Sequence, residues 1–407
     1  MHKNRFYLLG SGSGAAEAKR RKVREKSHQF DPAPGQGKAP TKFISLFSGA
    51  MGLDLGLESA GFEVAGCLEL DKKACETIKA NRPDIPVICG NIKDWSGSSL
   101  LEAFGVKCSD IAFIAGGPPC PSFSTAGKRQ AFNDPRGQVM FDYLRIVKEI
   151  APPFFIMENV RGILSASLSH VPLSNRKGKE DPEKGSVLRM LNDTFATMGY
   201  TVTAELVNAA NYGTPQKRER VVFLGSREGF QITMPIGGYE QHGSLFCQPW
   251  RTLGDALRGI DDNKPEFIAY SQKRSSILAR LKPGENWRQL PEDLQREALG
   301  GAYQSTGGRV GFFRRLSYDE PSPTVPTSPC QKSTCLCHPT EIRPLSVKEY
   351  ARIQQFPDDW VFVGSTTDKY RQIGNAVPVG LGYAIGRTLK RYIQNRETLE
   401  AENESDE

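Results

Sequence analysis

No stretch of this chain approaches the roughly 18 consecutive apolar residues that a membrane-spanning helix needs. The short apolar run "FYLL" at Phe6–Leu9 is too brief for a secretory signal. Paired cysteine spacing is also missing: the nine cysteines are odd in number and scattered, which argues against a disulfide framework and predicts reduced thiols in a cytosol-like compartment. There is neither a coiled-coil repeat nor an exposed apolar helix to argue for an oligomer. Acidic residues do not dominate. The formal net charge of +7 and pI near 8.8 mildly favour a polyanionic partner, although a solvated basic surface would give the same total. What is present is an ordinary 38% hydrophobic content over 407 residues, more than one core usually serves, so two folded domains with tails are expected.

Residues 1–41 read as a disordered basic arm: "GSGSG" has a flexible linker's composition, "EAKRRKVREK" is a charge run and "DPAPGQGKAP" is rich in Pro and Gly. "KRRKVREK" suits a solvated tail, an import signal or a phosphate-binding arm. From Thr41 short apolar runs alternate with helical periods. "FISLF", "VAGCLEL", "VICG", "IAFIAGG" and "FFIMEN" predict five strands, with "YTVTAELV" and "RVVFLG" adding two more. Such alternation predicts an α/β fold with a mostly parallel sheet and active-site loops at its carboxyl edge. The rhythm breaks down over 231–340, which suggests a smaller, irregular second domain after a sheet domain at 42–230. Helical order returns over 341–395, completing the first domain, and the acidic tail 396–407 is expected to be disordered.

"FSGAMG" follows the first strand and opens a helix, where an α/β sheet receives a nucleotide-like ligand. Met51 stands where a dinucleotide fingerprint would carry a glycine, which weakens a nicotinamide reading. Glu69 ends the second strand twenty residues after Gly49, where an acid can accept from ribose hydroxyls or simply be a solvated cap. Cys120 lies in "GGPPCPSFS", on a backbone stiffened by three prolines. An isolated cysteine is most often a small buried hydrophobe, but a packing thiol needs no rigid, glycine-permitted approach from a second molecule. Glu158 follows the next strand and would reach the same sheet edge. A thiolate beside an acid can attack a heteroaromatic ring whose nitrogen the acid protonates. Cytosine is such a ring: thiolate addition at C6 turns C4–C5 into an enamine that takes a methyl group from a sulfonium. A base then removes the C5 proton and the thiol leaves.

The blocks "FSGAMGLDLGLESAG", "ELD", "GGPPCPSFSTAGKR", "MENVRGIL", "NAANYGTPQKRERVVFLG", "RPLSVKEYARIQQFPDDW" and "YRQIGNAVP" resemble, in content and order, the motif series of DNA (cytosine-5) methyltransferases. The likeness is to the bacterial restriction-modification type and covers about 42–393. It implies the Rossmann-like fold of methyltransferases that use S-adenosylmethionine, a double-stranded DNA substrate from which cytosine is flipped, an endonuclease of matching specificity as functional partner, and a cytoplasmic location near the bacterial nucleoid. It implies Cys120 as nucleophile, Glu158 on cytosine N3 and the exocyclic amine, Asn159 ordering the Pro-Cys loop, and Arg220 reaching cytosine O2 and a phosphate with Arg218 in support. The same likeness lines the cofactor pocket with Phe47, Gly49, Gly52, Glu69, Leu70, Asn91, Ile92 and Pro119, closed by Asn375 and Ala376. Two positions depart from it: relatives usually carry glycine at Met51 and aspartate at Asn91, and an asparagine oxygen accepts without charge assistance.

"SFSTAGKRQAFNDPRG", a bland surface loop by composition, becomes under the resemblance a loop that closes over DNA, with Ser122 and Ser124 among its DNA-binding residues and Lys128 and Arg129 near the backbone. Sequence choice falls to 231–340, where Arg309, Arg314, Arg315 and the "PTV" residues Thr324 and Val325 are expected to face DNA. "CQKSTCLCH" crowds four candidate ligands into nine residues, too tightly for the two spaced pairs of a structural zinc site, so no metal is expected. An RNA (cytosine-5) methyltransferase would share the catalytic blocks, but its tRNA-modifying members carry a Cys-Phe-Thr element in a compact recognition region that this chain lacks. A silent DNA-binding homologue should have lost one of Cys120, Glu158 and Arg220, all of which stand. Cys120→Ser is expected to abolish methyl transfer while sparing DNA binding; methylation retained by that variant would overturn the assignment.

Overall fold

A computed structural model describes residues 5–6, 40–119, 135–167, 184–234, 237–304, 311–331 and 335–405. Its centre is an eight-stranded sheet. The first strands in chain order are β1 (Arg5–Phe6), β2 (Lys42–Leu46), β3 (Glu63–Glu69), β4 (Val87–Cys89), β5 (Ile111–Gly116) and β6 (Phe154–Val160). They are followed by β7 (Thr201–Asn208), the two-residue β8 (Gln216–Lys217) and β9 (Glu219–Ser226). The spatial order is β1-β7-β9-β6-β5-β2-β3-β4. β2 pairs in parallel with β3 and β5, as do β3 with β4 and β5 with β6. β9 runs antiparallel between β6 and β7. The carboxyl ends of β2 to β6 therefore share one edge.

The central strands are continuous apolar runs because both faces are covered. Phe43, Phe113, Ile156 and Leu224 pack to one side with α1 (Gly52–Ser59), through Leu57, and α11 (Val379–Ser405), through Leu381 and Ile385. Ile44, Ile114, Phe155 and Phe223 pack to the other with α3 (Gly97–Phe104), α4 (Pro135–Ile150) and α5 (Ser186–Thr197). Beside β3 lies α2 (Lys72–Asn81), capped by the Asp71 carboxylate. Outside the sheet, residues 237–304 hold the short helices α6 (Leu253–Leu257), α7 (Gln272–Leu278) and α8 (Glu292–Leu299) and the paired β10 (Tyr239–Glu240) and β11 (Gln248–Pro249). Ile277, Leu278, Trp287, Leu299, Phe313 and Cys335 form a separate hydrophobic cluster there. α9 (Val347–Ile353) and α10 (Thr366–Asn375) pack with α6, Leu316, Val325 and Leu336 and with Ala50 and Leu55 at the start of α1, while α11 lies along α1.

At the termini, the arm expected to be disordered is amended at two residues, the rest of 1–39 lying outside the described residues, and the expectation for the acidic tail is corrected. Arg5 and Phe6 pair with Glu205 and Ala204 of β7, within the arm read as disordered, because β7 otherwise offers an open edge of backbone donors and acceptors. The acidic tail is helical to Ser405: "RETLEAENES" is rich in strong helix formers and extends a helix already anchored, so it bears no nucleation penalty. The α1–α11 contact is close backbone on backbone, and a Cβ at Gly56 would fall onto the backbone of Val379 and Tyr383. Gly56→Ala is expected to destabilise the fold by about 2 kcal/mol through this overpacking; chemical denaturation checks it, and an unchanged midpoint would contradict the contact.

Candidate active site

The strand ends meet around a cavity of about 540 Å³. β2 runs into a turn in which Phe47 and Gly49 both have positive φ, 58° and 54°, bringing backbone N–H groups toward the end of β3. Glu69 pins that turn: Oε2 accepts from the Gly49 N–H at 2.8 Å and Oε1 from the Asp71 N–H at 2.8 Å. Burial pushes the Glu69 carboxyl up, and these backbone bonds oppose the shift. Asn91 caps the turn carrying Ile92, its Oδ1 accepting from the Lys93 N–H at 3.2 Å. Leu70 is 63% exposed at the rim. Gly52 is glycine for packing reasons, since a Cβ there would meet the carbonyl of Val377. Phe47, Gly49, Gly52, Glu69, Leu70, Asn91, Ile92, Pro119, Asn375 and Ala376 all contribute to this one wall.

Glu158 and Arg220 line the same cavity, joined by an ion pair of 2.6 Å between Arg220 Nε and Glu158 Oε1. Antiparallel pairing makes this possible, because Arg220 lies opposite Val160, two residues beyond Glu158. Gly117 lets the loop after β5 approach the acid: a Cβ there would sit 3.1 Å from Glu158 Oε2. Asn159 is buried, its Nδ2 donating to the Pro118 carbonyl at 3.1 Å while its Oδ1 accepts from the Val160 N–H. This amide fixes the backbone two residues before Cys120. Cys120, Ser122, Ser124, Lys128, Arg129 and Arg309 lie outside the described residues.

Arg218 is 2% exposed and points inward, donating from Nη1 to the Val325 carbonyl at 3.3 Å and from Nη2 to the Gly374 carbonyl at 3.0 Å. Burial strongly disfavours its charge, and Arg220 adds to that while Glu158 opposes it. Two DNA-facing expectations are corrected here, and a third is curtailed. Val325 is 1% exposed in the cluster with α9 and α10, its N–H donating to Gln216 Oε1 at 3.0 Å. Arg315 is spent on the Leu281, Pro339 and Thr340 carbonyls, so its planar fork closes a chain turn instead of projecting outward. Arg314 is half-buried beside it, with Nε shielded and unpartnered. Thr324 does stay exposed, held by its hydroxyl bond to the Lys217 carbonyl and by β12 (Ser322–Pro323) pairing with β8. It shares a groove of about 480 Å³ with Val160, Lys217 and Arg220.

The thiols of "CQKSTCLCH" make polar contacts within the fold: Cys330 donates to the Ile268 carbonyl, Cys335 meets the Tyr270 hydroxyl and Cys337 donates to the Glu341 carbonyl. Among the wall residues that sequence reasoning missed are three charged ones, Asp54, Asp71 and Arg371. Arg371 bonds Asp71 at 2.8 Å across the mouth, a contact 300 residues apart that no local pattern announces. Asp71 carried a weak signal as the polar residue before a helix.

The family model for the C-5 cytosine-specific DNA methylases matches residues 41–391. The chain belongs to that family. This methylase is 38% identical to the type II methyltransferase M.Eco47II of Escherichia coli over 85% of its own length and 78% of that protein. It is 39% identical to M.Sau96I of Staphylococcus aureus over 86% and 76%. A solved Escherichia coli structure, described as a prophage-encoded DNA modification methyltransferase, superposes with a TM-score of 0.59 at 24% identity. It covers 86% of this chain and 98% of that one, a likeness of fold. The methylase's reaction is transfer of a methyl group to C5 of cytosine in DNA. Arg218→Ala would strand two buried carbonyls and is expected to cost about 3 kcal/mol of stability by chemical denaturation. Arg218→Lys, whose single ammonium lacks the fork, should recover only part; a wild-type midpoint in the alanine variant would show that these bonds do not hold the site.

Proposed function

We propose that the protein is the modification enzyme of a type II restriction-modification system, acting as a monomer on double-stranded DNA and using S-adenosylmethionine. The observation that carries this reading is the single cavity that joins a nucleotide-type wall, Gly49 and Glu69, to the Glu158–Arg220 pair. The residues fit the cofactor: Phe47, Gly49, Glu69, Asn91 and Pro119 would hold it, with Asn375 and Ala376 closing the wall. When bound, S-adenosylmethionine supplies an electrophilic methyl group on a sulfonium. Cys120 adds to C6 of the flipped cytosine, and Glu158 hydrogen-bonds N3 so that the ring accepts the thiolate's electron pair. Asn159 holds the carbonyl of Pro118, and with it the stem of the Cys120 loop. Arg220 orients Glu158 and offers its guanidinium to cytosine O2 and the phosphate, the geometry for which arginine is suited. Loss of the C5 proton to a base then expels the thiol.

Residues 231–340 form the target-recognition part. Lys128 and Arg129 bear on the DNA backbone, Ser122 and Ser124 contact DNA from the same loop, and Thr324 and Arg309 are assigned to the recognition face. M.Eco47II and M.Sau96I, named as type II methyltransferases, support the pairing with an endonuclease of the same specificity. The test is conversion sequencing of a random duplex library after incubation with the protein and S-adenosylmethionine, with transfer RNA and Cys120→Ser alongside. Protection confined to one short DNA motif and absent with the variant is expected; protection on RNA alone would reassign the substrate. Glu158→Gln, whose amide cannot give a proton to N3, is expected to slow single-turnover methylation by a factor of about 100 or more. A near-wild-type rate would remove Glu158 from the chemistry.

A further inference from the structure

Asp54 sits in the third position of α1, with 1% of its surface exposed, and contributes to the wall of the 540 Å³ cavity. An acid in a first helical turn usually interacts with the helix dipole from an exposed position; this one is sealed in. Its Oδ1 accepts from the Ser45 hydroxyl at 2.8 Å, and Ser45 in turn lies 2.8 Å from the Ser48 hydroxyl. Its Oδ2 has no hydrogen-bond partner. Burial drives the Asp54 carboxyl up to about 7, with Glu58 and Glu69 adding to the shift and the Ser45 bond and Arg82 opposing it. From β3, Cys67 faces the same spot, its own thiol pushed up by burial and by Asp54. Arg82 is the one cation among these groups, and it is engaged by Glu58 and Asp84. The fold therefore gives the buried carboxyl half of its hydrogen bonding and no counter-ion of its own, on the wall of a cavity that receives a ligand.

We infer that Asp54 is the counter-charge for the cationic amino-acid end of S-adenosylmethionine, ionising as the cofactor enters and releasing its proton to solvent. This rests on reading the cavity as the cofactor site. A positive charge brought next to a buried carboxyl favours the ionised form, whereas a neutral ligand that displaces water disfavours it, so the two are separated by the sign of the proton exchange. S-adenosylmethionine carries two cations, the sulfonium and the α-ammonium, beside an α-carboxylate; S-adenosylhomocysteine keeps the ammonium and the carboxylate, and 5′-methylthioadenosine has none of the three.

The experiment is isothermal titration calorimetry of the full chain with each of the three ligands, near pH 7, in two buffers of different ionisation enthalpy. Binding of S-adenosylmethionine should release about half a proton, since a group with a pKa near ambient pH is half protonated beforehand. Its affinity should fall as the pH drops below that point and level off about tenfold lower, the loss expected of a neutral Asp54. Release with S-adenosylhomocysteine as well assigns the ammonium; release with S-adenosylmethionine alone assigns the sulfonium. Asp54→Asn should abolish the release and weaken S-adenosylmethionine about tenfold, with 5′-methylthioadenosine little changed. Ser45→Ala provides a second readout: losing the bond that holds the Asp54 pKa down leaves more of the acid protonated, so the proton release should rise above the wild-type value. Tight binding with no proton release, or an equal release with 5′-methylthioadenosine, would overturn the role of Asp54 and leave the cofactor reading standing. Failure of all three ligands to bind would overturn that reading, and this inference with it.

Discussion

A buried guanidinium holds the site together. Arg218, between β8 and β9 in the chain, reaches to the carbonyls of Val325 and Gly374, residues 107 and 156 positions further along. Gln216 and Gln354 extend the join: Gln216 Nε2 donates to Gln354 Oε1 at 2.8 Å, and Gln354 Nε2 donates to the carbonyls of Ile373 and Ala376. Removing a guanidinium from water is expensive unless its donors are met, and two neutral carbonyls meet them only in part, since Nε is left over. The arrangement is retained despite that penalty because a rigid fork can hold two chain segments at one fixed spacing. Gly374 has to be glycine for the same closeness, as a Cβ there would strike the backbone of Pro326. The last wall residues, Asn375 and Ala376, thus owe their position to an arginine from another part of the chain.

That join makes the site a composite. The acid and its arginine partner come from β6 and β9, the nucleotide-type turn from β2 and β3, and the closing wall from the end of α10. The Glu158–Arg220 pair is partly exposed, with side chains 12% and 13% accessible, in contrast to Arg218. A pair at a cavity surface can exchange its mutual bond for bonds to a ligand with little desolvation still to overcome. A sealed guanidinium cannot, and so the two arginines of "QKRER" divide into one at the cavity surface and one that braces from within.

Strands β2 to β7 and β9 were legible because apolar runs bounded by glycines and helical periods are local signals, and each pairs within the sheet as its pattern implies. The wall residues on strand ends were legible for the same reason: the edge of a parallel sheet is set by topology. What escaped were properties that depend on distant partners. Arg315 and Val325 look exposed in a stretch rich in Gly, Pro and Arg, but whether an arginine projects or clamps depends on carbonyls brought in from 281, 339 and 340. Asp54 and Arg371 escaped likewise, since one is hidden by the turn it follows and the other meets Asp71 only after the whole chain has closed.

Met51 shows how a departure from a family pattern can be absorbed. Its φ of 68° is a left-handed conformation that costs a side-chain-bearing residue roughly 1–2 kcal/mol, which is why glycine is the common occupant of such a turn. The Met51 side chain is fully buried against Cys67, Ile78 and Ile85, and burying a methionine stabilises by roughly 1.5–3 kcal/mol. Packing therefore balances or outweighs the backbone strain. The Met51 N–H still donates to the Ser48 carbonyl at 2.8 Å, so the turn keeps the shape that aims Gly49 at Glu69. A glycine, which the family resemblance implies here, is thus one solution to a conformational demand, and an adaptable side chain with a pocket behind it is another.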